Sequence, residues 1–280
     1  MAGAFLRAII SVALAAGPAT AAAQPRGFAS AVPAIRVTPT GVLPRGPGQP
    51  LDDYCTDKVV TPRGAAARAV AARGWHVTGE ERLGRLTAVS FVGGLRPGMS
   101  GTCLIDAGNV GLFDGGRLVA IVHGRQDGAQ PRRVTATTVP GRLRIWSEEY
   151  SPPLADIVAR GESAAVVSIA ASESWCGGIA VPNVYGLTIE AARRRILAVG
   201  WRPAPPPAAD IAAATGGCDF DFRRAGVTEV EVCSGTGFGL CLFNYRHPRG
   251  ARLEIQTAGE ESEIVGQWVT CAAQRGRRRR

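Results

Sequence analysis

The sequence predicts an α+β protein made of two small disulfide-stapled units, each with one helix packed on an antiparallel sheet. Three observations favour this fold class. Two alanine-rich segments have helical periodicity, several short segments alternate apolar and polar residues as strands do, and cysteines are spread along the chain. We therefore expect an N-terminal α+β domain over residues 51–159 and a C-terminal one over residues 166–271.

Both predicted helices have recognisable ends. In the first, Thr61 is a candidate N-cap, Pro62 suits the first turn, and Gly74 suits the left-handed conformation that ends a helix. In the second, Thr188 is the candidate N-cap and Gly200 ends the helix. Apolar residues between these ends recur about every 3.6 residues, which predicts one buried face for the second helix in particular.

Strands are predicted where β-branched and apolar residues alternate with polar ones. The candidates in the two units are residues 87–92, 110–113, 118–123, 227–232, 240–245, 253–257 and 264–270. Residues 114–116 and 248–250 are rich in glycine and are expected to form hairpin turns between neighbouring strands.

Four landmarks occur in the same order in both units, which predicts an internal duplication. Each unit opens with a cysteine, followed by a helix that ends in the motif Ala-x-Gly-Trp. A Ser-Gly-Thr turn beside a cysteine comes next, and a strand with the pair Arg-Leu comes last. The helix ends are residues 72–75 and 198–201, and the turns are residues 100–102 and 234–236. The tryptophans of the chain are expected to be core anchors rather than sugar platforms.

Residues 1–23 contain the three parts of a secretory signal peptide. Arg7 supplies the positive charge, residues 8–16 the apolar core, and residues 21–23 the small residues of a cleavage site. A membrane anchor is the alternative, but a spanning helix needs about 20 apolar residues, roughly twice this core. We therefore expect cleavage before Gln24 and a periplasmic or secreted mature protein without a transmembrane segment.

All seven cysteines follow the predicted signal peptide, so an oxidising compartment would pair them. The candidate pairs are Cys55–Cys103, Cys176–Cys271 and Cys233–Cys241, which leaves Cys218 as the odd cysteine. Sequence alone does not fix connectivity, and a bridge from Cys218 to Cys233 is an alternative. No Cys-x-x-Cys pair exists, so disulfides are favoured over a metal site.

The two ends of the mature chain are predicted to be unfolded. Residues 24–50 contain six prolines and are expected to form a linker. Residues 272–280 are expected to form a basic disordered tail because like charges repel one another. Weak attraction to an anionic surface is expected from its arginines Arg275, Arg277, Arg278, Arg279 and Arg280. Nucleic acid is not an expected partner of an exported protein.

One window carries a family resemblance. Residues 181–188 are Val-Pro-Asn-Val-Tyr-Gly-Leu-Thr, and the helix that follows ends in alanine, valine and Gly200. Over residues 181–201 the sequence resembles a PASTA domain, which implies a strand-to-helix entry and recognition of peptidoglycan fragments. Beyond Trp201 the sequence departs from the family, with a proline-rich loop and four cysteines that have no counterpart there. Neither a kinase nor a transpeptidase motif is present.

No segment has the pattern of a catalytic or cofactor site. Residues 98–101 lack the Gly-x-Ser-x-Gly spacing of a serine hydrolase, and residues 235–239 lack the spacing of a phosphate loop. We therefore expect a non-catalytic envelope protein without cofactor or metal, which is a binding or structural module for cell-wall material such as peptidoglycan.

Between Cys233 and Cys241 lies the candidate binding loop, because exposed loops on a rigid scaffold often carry function. Its candidate contact residues are Ser234, Gly235, Thr236 and Phe238. An alternative function is inhibition of an exogenous hydrolase through this loop, and a third is an uncharacterised enzyme.

Overall fold

The computed structural model describes residues 27–125, 128–208, 211, 218–235, 237–259 and 262–272. Within them the chain forms 19 strands, three α-helices and two short 3-10 helices, so it is a sheet-rich α+β protein. The predicted signal peptide, Thr236, the side chain of Cys218 and residues 273–280 of the predicted tail lie outside the described part. No described helix has both the length and the apolar character needed to cross a membrane.

Two five-stranded sheets form most of the N-terminal unit. Sheet I consists of β2 (Ile35–Pro39), β3 (His76–Leu83), β4 (Leu86–Val92), β7 (Asn109–Asp114) and β8 (Arg117–Gly124), in the order β2-β8-β7-β4-β3. Sheet II consists of β1 (Ala29–Ser30), β9 (Arg133–Ala136), β10 (Arg142–Trp146), β11 (Ala155–Arg160) and β12 (Ser163–Val167), in the order β1-β12-β11-β10-β9. The hairpin of β5 (Gly94–Pro97) and β6 (Cys103–Asp106) lies beside them.

Sheets I and II pack face to face as a sandwich. Alternate side chains of each strand point into one buried cluster, which includes Leu112 and Val122 of sheet I and Leu143, Ile145 and Ile157 of sheet II. The opposite face of sheet I is covered by α1 (Ala65–Ala72) through its buried alanines and Val70. The N-terminal unit therefore has three layers, which are α1, sheet I and sheet II. The sequence predicts only one helix on one sheet, so sheet II is additional to that prediction.

The proline-rich segment predicted to be a linker contributes two strands, so that prediction is corrected. β2 pairs antiparallel with β8 from Ile35 to Pro39, and β1 pairs parallel with β12. Proline is accommodated because β2 lies at the edge of sheet I and Pro39 is its last residue. The domain boundary also moves: β12 runs from Ser163 to Val167 and pairs with β11, so the N-terminal unit extends past residue 159.

The C-terminal unit is built on sheet III. Its strands are β15 (Arg202–Pro203), β16 (Val230–Cys233), β17 (Cys241–Arg246), β18 (Arg252–Ala258) and β19 (Glu263–Thr270), with β15 and β16 both on the same partner, β17. The hairpin of β13 (Ser172–Trp175) and β14 (Ile179–Pro182) precedes it.

Two helices, α2 (Ile189–Ala198) and α3 (Cys218–Arg224), accompany sheet III, so the expectation of one helix per unit does not hold. Ile189 and Ile196 of α2 belong to the buried cluster that contains Phe243 and Ile255 of the sheet. The opposite face of sheet III carries polar residues, among them Asn244, Glu254 and Gln256. The two units differ in strand order, and the predicted duplication is not confirmed.

Three disulfides join Cys55 to Cys103, Cys176 to Cys271, and Cys233 to Cys241. These are the pairs favoured by the sequence. The second bridge spans 95 residues and ties the β13–β14 hairpin to the end of β19. Disulfides of this kind stabilise a fold chiefly by restricting the unfolded chain, and they are typical of proteins that fold in an oxidising compartment.

Candidate functional site

A cleft of about 440 Å³ lies where the outer face of sheet II meets the C-terminal unit. Sheet II contributes Arg133, Thr135, Arg144 and Trp146. The C-terminal unit contributes Glu173, Trp175, Tyr185, Gln256, Gly266, Gln267 and Trp268. We call this space the aromatic cleft, because three tryptophans and two tyrosines, Tyr150 and Tyr185, line it.

Trp146 is placed in the aromatic cleft by the alternation of β10. Leu143 and Ile145 point into the sandwich, so Trp146 points out of it. Its indole Nε1 donates a hydrogen bond to Oγ1 of Thr135 at 2.8 Å. The indole also lies edge-on to the ring of Tyr185, with ring centroids 5.7 Å apart. Contacts with Thr135 and with Tyr185 therefore fix the orientation of the Trp146 indole.

A buried ion-pair network forms the floor of the aromatic cleft and joins the two units. Arg144 Nε lies 3.0 Å from Oδ1 of Asp156 on the neighbouring strand of sheet II, and its Nη2 donates to Glu173 of β13. Arg142 Nη1 lies 3.2 Å from Oδ2 of the same Asp156. Burial alone would lower the pKa of Arg144, but the carboxylates of Asp156 and Glu173 raise it above its ordinary value. The guanidinium stays charged and fixed.

Tyr185 lies above this network. The guanidinium carbon of Arg144 is 5.6 Å from the centroid of its ring, a cation–π distance. Burial raises the pKa of Tyr185 to about 12, while Arg144 acts in the opposite direction. The hydroxyl therefore stays protonated at neutral pH, and it donates a long hydrogen bond to the backbone oxygen of Gln267 at 3.5 Å.

Trp175 offers a second donor. Its indole Nε1 is buried and has no hydrogen-bond partner among the described residues. An unsatisfied buried donor costs about 1–3 kcal/mol. A ligand oxygen that reached this group from the aromatic cleft would remove that cost.

Trp268 forms the outer edge of the aromatic cleft and is 49% exposed. It stands on the polar face of sheet III, and its six-membered ring lies over Gly266 of the same strand. A Cβ at position 266 would collide with this ring. The glycine thus lets the indole lie along the sheet instead of standing away from it.

Charges at the rim of the aromatic cleft are partly neutralised within the protein. Arg132 Nη1 is 3.2 Å from Oε1 of Glu149, which also pairs with Lys58 at 2.9 Å. Arg133 and Glu148 line the cleft without an ion pair in the described part of the chain. Burial, followed by the neighbouring Arg132, lowers the pKa of Arg133.

The Cys233–Cys241 loop lies against the N-terminal unit and is not a free tip. The ring of Phe238 is half-buried, with its centroid 5.4 Å from that of Tyr150, which lines the aromatic cleft. Leu240 N donates to Oγ of Ser234 at 2.9 Å, which closes the loop on itself. Gly235 faces open space, and Thr236 lies outside the described residues. Among the described candidate loop residues, Phe238 contacts a residue of the aromatic cleft but itself lines a separate hollow with Phe222 and Gly259.

The expectation that the tryptophans are core anchors holds for only two of the five. Trp75 and Trp201 are buried, whereas Trp146, Trp175 and Trp268 line the aromatic cleft. For Trp146 and Trp268, the sequence itself indicates a position on the polar face of a strand. Trp146 shares the phase of Arg142 and Arg144 in an alternating strand, and Trp268 follows Gly266 by two residues, so each is on the polar face.

Comparison of the chain with protein-family models, with curated proteins and with solved structures gives no match.

Proposed function

We propose that this protein is an exported, non-catalytic envelope protein that binds cell-wall glycan, with peptidoglycan as the expected ligand, in the aromatic cleft. The observation that carries this proposal is the meeting of Trp146, Trp175, Tyr185 and Trp268 in one cleft with hydrogen-bonding side chains. A sugar ring has apolar C–H faces and hydroxyl edges. Aromatic side chains cover such faces, while amides and charged groups bind the hydroxyls.

Rigidity of the cleft supports a binding role. Thr135 fixes Trp146, Asp156 and Glu173 fix Arg144, and the surface at Gly266 seats Trp268. Side chains that are ordered before a ligand arrives lose little conformational entropy on binding. The hydrogen-bonding groups are therefore presented in a fixed pattern.

The shape of the surface favours an extended ligand. Trp268 lines the aromatic cleft and also a second hollow of about 630 Å³ on the polar face of sheet III. That hollow reaches the prolines at 205–207 and residues of β17 and β18. Because the two spaces share Trp268, a polymer can occupy both, whereas a single sugar fills only one.

Three properties of the chain support a location where cell wall is available. Residues 1–23 have the pattern of a secretory signal, three disulfides suit an oxidising compartment, and residues 181–201 resemble a PASTA domain. Tyr185 belongs to that PASTA-like window and lines the aromatic cleft. The resemblance and the site geometry thus favour the same class of ligand.

Co-sedimentation of the mature protein with purified cell-wall sacculi at low salt tests this proposal. We expect wild type to sediment with the sacculi and Trp268→Ala to lose about tenfold or more in affinity, as an aromatic residue that carries much of the binding energy does. Tyr54→Ala is the matched control, since Tyr54 is 58% exposed and lies outside the cleft. Absence of wild-type binding, or equal losses in the two variants, would contradict the proposal.

A further inference from the structure

Three arginines lie side by side across the polar face of sheet III. Arg202 of β15 is directly opposite Arg246 of β17, and Arg246 is directly opposite Arg252 of β18. Directly opposed residues of antiparallel strands project on the same face of the sheet. All three residues are exposed. We call this set the arginine row.

The arginine row is an unfavourable arrangement for the protein alone. Opposed residues have Cα atoms about 4.5–5.5 Å apart, and like charges in that position destabilise a sheet. None of the three arginines forms an ion pair with a described carboxylate, although Arg142, Arg144 and others do. An anion bound across the row would relieve this repulsion.

The row lies next to the binding surface already described. The adjacent outward row, two residues along each strand, contains Asn244, Glu254 and Trp268 in register. Two residues of a strand span about 7 Å, so the backbone of the arginine row is about that far from the backbone of the row that contains Trp268. Arg246, Arg252 and Trp268 line the same hollow.

Two carboxylates also line this hollow and set its charge pattern. Glu231 accepts a hydrogen bond from the side chain of Asn244, so it is engaged within the protein. Glu254 lies between Asn244 and Trp268 in the row beside the arginines. Arg246 and Arg252 make one end of the hollow positive and the two carboxylates make its middle negative, and Arg202 adds a third positive charge beside the arginine end.

We infer that the arginine row binds carboxylate groups of an acidic glycan whose sugar rings lie over Trp268 and in the aromatic cleft. This inference rests on the proposed function and specifies the ligand as an acidic rather than a neutral glycan. Guanidinium groups bind carboxylates through two parallel hydrogen bonds, which gives orientation as well as attraction. Three of them in register suit a chain that carries repeated carboxylates.

The test compares untreated sacculi with sacculi whose carboxyl groups have been amidated with methylamine. The row variant is Arg202→Gln/Arg246→Gln/Arg252→Gln. The control variant is Arg36→Gln/Arg45→Gln/Arg117→Gln, which removes the same charge from exposed arginines outside the site. Circular dichroism and thermal unfolding establish that every variant is folded.

We expect wild type and the control variant to bind untreated sacculi better than amidated sacculi. The row variant should bind untreated sacculi about tenfold more weakly, the combined effect of three exposed ion pairs, and should not distinguish the two preparations. Glu254→Gln should bind untreated sacculi more tightly than wild type does. A row variant that keeps the wild-type preference, or a control variant that loses as much, overturns the inference.

Titration with oligogalacturonate separates this inference from the proposed function. If wild type binds neither preparation of sacculi, the proposed function fails. The titration then tests by itself whether the arginine row binds carboxylates. Weaker binding of oligogalacturonate by the row variant than by the control variant supports a carboxylate site. Equal binding by both variants, or no binding by wild type, overturns it.

Discussion

The indole of Trp268 lies over Gly266, two residues earlier on the same strand, and occupies the space where a side chain at position 266 would begin. Gly266 does not have a positive φ, so the backbone there accepts any L-residue. The glycine is therefore needed for the position of the indole and not for the conformation of the strand.

Gly266→Ala should weaken binding to sacculi without unfolding the protein. The added Cβ displaces the indole, so the affinity should fall in the direction of that of Trp268→Ala. Gly41→Ala is the control, because Gly41 has no positive φ, its Cβ position meets only Leu118 O at 3.9 Å, and it lies outside the cleft. Co-sedimentation of both variants measures the effect. If Gly266→Ala binds sacculi with wild-type affinity, the position of the indole over Gly266 is not needed for binding.

Asp156→Asn should destabilise the protein by about 3 kcal/mol or more, since removing one partner of a buried ion pair leaves a buried charge uncompensated. Asp156 is fully buried, and both Arg142 and Arg144 depend on it. Urea unfolding with intact disulfides measures the free energy of unfolding. Glu162→Gln, which breaks the exposed pair with Arg85, should cost at most about 1 kcal/mol. Similar losses in both variants would contradict the account of the network.

Stability should fall as the pH rises from about 10 to about 12, in part through Tyr185. Its pKa is raised from 10.0 to about 12 in the folded protein, chiefly by burial. The unfolded chain therefore loses this proton first, and alkaline pH favours unfolding over that interval. Tyr185→Phe should make the decline in the free energy of unfolding less steep there. An unchanged slope in urea unfolding across this pH interval would argue against a buried, protonated Tyr185.

The disulfides should contribute unequally to stability. Cys176–Cys271 closes a separation of 95 residues and Cys233–Cys241 one of 8 residues. In the chain-entropy description, replacing the first pair by alanine should cost about 2 kcal/mol more than replacing the second. Chemical denaturation of the two double variants measures this difference, and peptide mapping of the unreduced protein checks the pairs. A Cys218–Cys233 peptide would contradict the connectivity.

Local signals predicted both ends of α2 and the C-terminal end of α1. α2 runs from Ile189 to Ala198 with Thr188 at its N-cap, and Gly200 has the positive φ expected after its end. α1 starts at Ala65 with Gly64 at its N-cap, later than Thr61 suggests, and the backbone N–H of Gly64 donates to the Glu80 carboxylate. That partner lies 16 residues away and is invisible to local analysis.

Sheet II and the aromatic cleft could not be predicted because their stabilising partners are distant in sequence. Arg144 has the pattern of an exposed strand residue, yet Asp156 and Glu173 neutralise it and allow its burial. The frequent prolines around Ile35 predict a linker, although they permit a strand at a sheet edge. Charge pairing across a fold and edge pairing both require tertiary structure to be recognised.

The indole N–H signals of the five tryptophans give the most direct test of glycan binding. We expect solubilised peptidoglycan fragments to shift the signals of Trp146, Trp175 and Trp268 in the NMR spectrum of the mature protein. The signals of Trp75 and Trp201 should stay in place, since their N–H groups donate to the carbonyls of Pro44 and Ala180 inside the fold. Unshifted cleft signals at saturating fragment, or equal shifts of all five, would contradict binding in the aromatic cleft.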